Sequence, residues 1–191
     1  MNKKNIILFI ILALLIVVLI FSKGRENTEK RLNAFRFNAN DVTKIEFVVP
    51  NADTLIVEKD RETWRIVYPK DAPVNKTQLD RFFDNYLTLT TSSIPISEDY
   101  SKQREFNVDE ENATQIILYD INGRLLSHVF MGRSQTNQRI AYIRHENHTQ
   151  IFQIENMFWF INPTINAWEG EEEVFLPDEE DMDWLNEYEF M

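Results

Sequence analysis

The chain has 191 residues, with 31 acidic groups against 20 basic ones and no cysteine. That length suits one domain with appendages, and the missing cysteine excludes disulfides, thiolate metal sites and a cysteine nucleophile. Residues 169–191 hold 11 of the acids and no Lys or Arg, so the rest balances at 20 of each and offers no basic face for nucleic acid.

Ile6 to Phe21 is an uninterrupted apolar run of 16 residues, flanked by Lys3 and Lys4 before it and by Lys23 and Arg25 after it. As a helix it spans about 24 Å, a little short of a hydrocarbon core of about 30 Å. Snorkelling of the flanking cations and local thinning make up the difference. A cleaved signal peptide is the competing reading. It requires small residues of A-x-A type at its end, whereas the run stays Ile- and Leu-rich up to Phe21-Ser22-Lys23. We therefore read 6–22 as a retained transmembrane anchor, behind a short cytoplasmic N-terminus at 1–5. A short basic N-terminus ahead of a single helix stays inside and sends the following domain outward.

Residues 23–38 are polar and charged and read as a linker; the folded domain is expected over 39–168. TKIEFVV (43–49) alternates Ile45, Phe47 and Val49 with Lys44 and Glu46, the period-2 pattern of a half-buried strand. TLIVEK (54–59) and TWRIVY (63–68) continue a meander that Pro69 ends. Asn75 reads as a helix N-cap with Gln78 three residues on. Leu79, Phe82, Phe83 and Tyr86 then recur at i, i+3, i+4 and i+7, giving one apolar helix face that packs on a sheet. TQIILYD (114–120) and LLSHVFMG (125–132) flank Asn122-Gly123, a hairpin signal of type I′, which needs positive φ at both central residues. RIAYIRH (139–145) and TQIFQI (149–154) form a second hairpin across Glu146-Asn147-His148. Seven strands and one main amphipathic helix give an α+β domain with a mainly antiparallel sheet.

Candidate chemistry is sparse. Four glycines, Gly24, Gly123, Gly132 and Gly170, cannot build a P-loop or a dinucleotide fingerprint. His145 and His148 lie close in sequence, but in a hairpin turn their side chains are not directed at a common point, no third ligand is close in sequence, and zinc wants three or four converging ligands. No G-x-S-x-G or similar signature supports a nucleophile. We expect no catalytic residue, no cofactor and no metal. The tail, 169–191, interleaves its acids with large apolar groups. The first reading is that these groups pack back onto the domain as its last element; the alternative is a motif that docks a basic, apolar groove on a partner through Phe175, Trp184, Leu185 and Tyr188.

The order and spacing of these elements resemble the bacterial family known as domain of unknown function 4340. The resemblance runs over about residues 41–160. It takes in TKIEF, TLIVEK, ETWRIVYP with Trp64 and Pro69, the helix after Asn75, Tyr100, EFNVDEENATQIILYDINGR, MGRS, IAYIR and TQIFQI. Phe106-Asn107-Val108 stands where that family has Tyr-Gly-Leu, and Ala113 where it has proline. Trp64, Gly132 and Tyr142 read as positions that keep the fold. The resemblance carries no catalytic residues. It implies a bacterial envelope protein, anchored in the inner membrane by one helix, whose domain binds an envelope partner such as a component of an ABC-transport or gliding-type system. The alternative expectation is a sensor domain for a small ligand or glycan.

Overall fold

The computed structural model describes residues 31–155 and 158–171, together with Leu12, Leu14 and Leu15 at helical positions. The chain divides into two units, Met1–Arg31 and Leu32–Met191, and the second is the one described below. The expected anchor segment, 6–22, and the tail residues Phe175, Trp184, Leu185 and Tyr188 lie outside the described residues, apart from the three leucines. Among the described residues no helix is long and apolar enough to cross a membrane.

Alternation of apolar and polar side chains builds the sheet. The strands in chain order are β1 (Arg31–Asn33), β2 (Lys44–Val48), β3 (Leu55–Asp60), β4 (Thr63–Tyr68) and β5 (Ala72–Pro73), then β6 (Thr90–Ser92), β7 (Thr114–Tyr119), β8 (Leu125–Arg133), β9 (Ile140–His145) and β10 (Phe152–Glu155). Eight of them form one sheet in the order β10-β9-β8-β7-β2-β3-β4-β5, with antiparallel pairing throughout, while β1 and β6 form a separate ribbon. All seven expected strands are present. The three further strands, β1, β5 and β6, are only two or three residues long, too short for a period-2 pattern to register.

Ile45 and Phe47 from β2, Leu55 and Val57 from β3 and Ile116 and Leu118 from β7 all point to one face and are buried. Helix α1 (Lys76–Arg81) covers that face. The Asn75 side chain caps it by accepting from Gln78 N–H at 3.2 Å, which satisfies one of the free amides of the first turn. The helix then widens into a π turn over Phe82–Tyr86, closed by Leu87 N–H to Phe82 C=O. In that turn Phe82 and Tyr86 stack at 4.9 Å within the core, while Phe83 meets half-buried Trp64 at 5.7 Å. The expected apolar stripe is thus core, on a backbone that is not purely α-helical.

Two short helices, α2 (Phe158–Ile161) and α3 (Ile165–Trp168), complete the layer. Trp168 is fully buried, 5.0 Å from Phe47, and its indole N–H donates to Ile161 C=O at 2.8 Å. The next residues close on the far edge of the sheet. Asn75 N–H donates to Trp168 C=O at 2.7 Å, and Gly170 N–H donates to Pro73 C=O at 2.8 Å. A side chain at 170 would press within 2.8 Å of Val74 C=O, so the close approach needs glycine. Glu169 and Gly170, counted with the tail on charge alone, are therefore built into the domain.

The opposite face of β8 and β9 is covered by the segment after a short 3₁₀ turn at Tyr100–Lys102. Val108, Ala113, Phe130 and Ile151 form a second small core there, with Phe106 against Tyr142 at 4.8 Å. Gly132 makes this possible, because a Cβ at that position would sit 2.2 Å from Phe106 C=O and 2.5 Å from Asn107 C=O. Asn107 itself is left-handed, with φ 55°. Asparagine tolerates that conformation better than most residues.

The β7–β8 hairpin differs from the expected type I′ turn. Only Gly123 has positive φ (73°); Asn122 does not. Asp120 carboxylate accepts from Asn122 N–H and Arg124 N–H, both at 2.9 Å, and Gly123 N–H bonds Asp120 C=O. The loop has three residues, with glycine in the left-handed position next to a register shift at Leu118/Tyr119. Asp120 selects this wider turn by supplying the acceptor that a two-residue turn takes from the backbone.

Candidate functional site

A cleft of about 460 Å³ opens where the β1–β6 ribbon faces the β8–β10 end of the sheet. One wall is Leu32–Phe37, which the sequence reading left in the linker. Ala34 N–H donates to Leu89 C=O at 2.8 Å, and the Phe35 ring, buried, packs 5.0 Å from Tyr86 and 5.7 Å from Phe37. These residues belong to the domain because two aromatic groups, Phe35 and Phe37, outweigh the charge of their surroundings. The second wall is Thr91–Pro95, and the remaining boundary comes from Leu126, Ser127, His145, His148, Gln150 and Phe152.

The loop carrying the two histidines is held by a buried arginine. Arg144 is 5% exposed and stacks on the Phe130 ring at 4.0 Å. Its Nε donates to Val108 C=O at 3.0 Å, and its Nη1 donates to Glu146 C=O at 2.9 Å and to the carbonyls of His145 and His148 at longer range. One guanidinium, with donors in a fixed fork, thus ties β9, the following turn and the second small core into a rigid unit. Burial lowers its pKa from the ordinary arginine value; it stays charged at any working pH.

That fixed turn brings the rings of His145 and His148 to 6.2 Å, edge to face, on one side of the cleft. The turn is wider than a minimal hairpin, and Arg144 gathers its carbonyls. His145 also lies edge-on to Phe35 at 6.3 Å. Burial, and then the neighbouring His148, push the His145 pKa below the ordinary histidine value; a hydrogen bond to the Ala34 backbone opposes this, and Arg36 reinforces it. Among the described residues no three His, Asp or Glu side chains gather as a metal site would require.

His128, the third histidine, sits on the other face. Its Nε2 lies 2.9 Å from Gln115 Oε1, and its Nδ1 lies 3.3 Å from Glu146 Oε1. The hydroxyl of Ser127, which lines the cleft, and that of Tyr86, behind Phe35, are buried and have no hydrogen-bond partner among the described residues. Around the cleft Leu32, Ile94 and Ile96 are exposed, at 48%, 59% and 43%. Ile96 N–H and C=O-bearing neighbours are nonetheless fixed, since Ile96 N–H donates to Ile151 C=O and Ile151 N–H donates to Ser97 C=O, both at 2.8 Å.

The cleft was not found from sequence. Its walls come from segments some sixty residues apart, and none carries a local signature; the only visible hint was the His145–His148 pair. The chain belongs to the family described as Domain of unknown function (DUF4340), whose model matches residues 64–181, more than half of the sequence. No curated protein and no solved structure matches the chain. The match takes in the Thr91–Pro95 wall and the histidine turn, while the Leu32–Phe37 wall precedes it.

Proposed function

We propose that this chain is a non-enzymatic, single-pass protein of the bacterial inner membrane whose α+β domain faces away from the cytoplasm and binds an envelope partner, such as a component of an ABC-transport or gliding-type system. Residues 1–5 stay inside, 6–22 cross the membrane, and the acidic-aromatic tail grips the partner through Phe175, Trp184, Leu185 and Tyr188. The observation that carries this reading is the separation of character along the chain. A 16-residue apolar run stands at one end, and a segment with 11 acids, no bases and eight large apolar groups stands at the other. Anchoring raises the local concentration of the domain near membrane partners, and an acidic segment with apolar anchors suits a basic, apolar groove.

The test is in-membrane crosslinking of the full-length chain beside a variant ended after Glu171. That end point keeps the Gly170–Pro73 and Asn75–Trp168 bonds and hence the closed sheet edge. A specific partner that is lost on truncation is the expected result. A partner retained without the tail moves the contact to the domain, and the absence of any specific partner overturns the reading.

A second reading has its own support. A cleft of about 460 Å³ falls in the range of small-molecule sites, and it favours a domain that binds a small ligand or glycan and signals its presence.

A further inference from the structure

We propose that the cleft between the β1–β6 ribbon and the β8–β10 end of the sheet binds a small organic anion, its carboxylate or phosphate held by Arg36, His145 and His148 and its body laid against Phe35 and Phe152. The inference rests on the second reading above and names the chemistry of its ligand.

The composition of the lining points to that class. No Asp or Glu lines the cleft, whereas one arginine and two histidines do. Of the carboxylates closest in sequence to the histidine turn and the facing wall, Glu146 lies 3.3 Å from His128 Nδ1, and Glu98 accepts at 3.3 Å from Nε2 of Gln150, itself a lining residue. Hydroxyl donors at Thr91, Ser92 and Ser93 stand on the opposite wall from the imidazoles. An oxyanion between the walls would meet cationic and neutral donors on both sides, the arrangement that gives short, charge-assisted hydrogen bonds.

Aromatic groups supply the rest of the site. Phe35 is fixed by Phe37 and Tyr86 on one side and by the His145 ring on the other. Phe152, partly buried, adds the far side. An aromatic surface beside a polar rim accommodates the apolar face of a sugar ring or a short carbon chain. The charged and titratable groups facing His145 are Arg36 and His148, both cationic or neutral. Both oppose its protonation, and a bound anion offsets them. Binding therefore strengthens as pH falls through the histidine range, because the protonated imidazole is the better partner for the anion.

The experiment uses the full-length chain in detergent, titrated with glucuronate, glucose and inorganic phosphate at about pH 6 and about pH 8. The imidazole and amide resonances of the histidine turn are followed by NMR. Glucuronate or phosphate should shift the His145 and His148 signals, and glucuronate, ionised at both pH values, should bind more tightly at the lower one, while glucose, which has the same ring without the carboxylate, should not shift them. Arg36→Gln should weaken that binding by about tenfold, the effect of one charge-assisted hydrogen bond. Arg36 is exposed, so the variant should fold, and His148→Gln, also at an exposed position, provides a second reading of the same loss. Binding of glucuronate but not phosphate, or the reverse, assigns the anionic group. Equal binding of glucose and glucuronate, or binding indifferent to both substitutions, overturns the anion while leaving a ligand cleft. No response of any cleft resonance to any titrant overturns both.

Discussion

Replacing Gly132 by alanine isolates one close approach between two parts of the fold. In an ordinary strand position the exchange is favourable by about 0.5–1 kcal/mol, because alanine loses less backbone freedom on folding. Here the new Cβ would lie 2.2 Å from Phe106 C=O and 2.5 Å from Asn107 C=O, where contacts below 3.0 Å are essentially never seen. The obstacle is backbone on a segment that is itself held, so it cannot swing aside as a flexible side chain would. Moving it strains the Asn107 Nδ2 bond to Arg133 C=O at 3.1 Å and the Phe106–Tyr142 ring contact at 4.8 Å. Those contribute about 1 kcal/mol and about 0.5–1.5 kcal/mol, and overpacking adds its own cost of about 1–3 kcal/mol. Set against the backbone gain, the net loss is about 1.5–5 kcal/mol, a fall in Tm of about 3–20 °C. Urea and thermal unfolding of the full-length protein, followed by tryptophan fluorescence, measure it. A variant as stable as the parent, or more so, would show that the 106–107 segment yields freely and that Gly132 is not what seats it.

Trp168 tests the closure of the helical layer. Trp168→Ala should cost about 3–5 kcal/mol through the cavity it leaves. Trp168→Phe should cost only about 1–2 kcal/mol, because Ile161 C=O keeps a second donor in Gln78 Nε2 at 3.1 Å; equal losses in the two variants would contradict this. His145 sets a pH dependence. Its folded pKa lies below the ordinary value of 6.5, so the unfolded chain binds the proton more readily. Stability is therefore fully present above about 6.5 and declines as pH falls from there through the folded value. His145→Gln should flatten the fall in urea midpoint between about pH 7.5 and about pH 5, relative to the parent; superimposable profiles would remove His145 as its source.

Much of the sheet was legible because its strands alternate cleanly. The register Ile45↔Leu118 and Phe47↔Ile116 follows from one buried face shared by β2 and β7. The Asn75 cap was legible for the same kind of reason, since capping is a local interaction. What was hidden depends on distance or on competition. The Asp120 carboxylate displaced the turn type that Asn-Gly suggested, and Phe35 drew a charged stretch into the core. The cleft required the β1–β6 ribbon to meet a histidine turn that Arg144 shapes with bonds reaching from Val108 to His148, and no spacing along the chain encodes that convergence.

The sheet order has a mechanical consequence. The chain joins the domain at β1, whose partner β6 lies against β10, and the last described residues leave beside β5. Those strands are the two edges of the eight-stranded sheet, about 30 Å apart at the usual spacing between neighbours. A pull applied between the two ends of the domain therefore acts across the strands, along the direction of the ladder hydrogen bonds. Such a load peels rungs one at a time instead of shearing them together. Both load points rest on short strands, β5 with the Gly170–Pro73 bond at one edge and β1 beside the cleft at the other, so the edges yield before the long central strands β7 and β8 part.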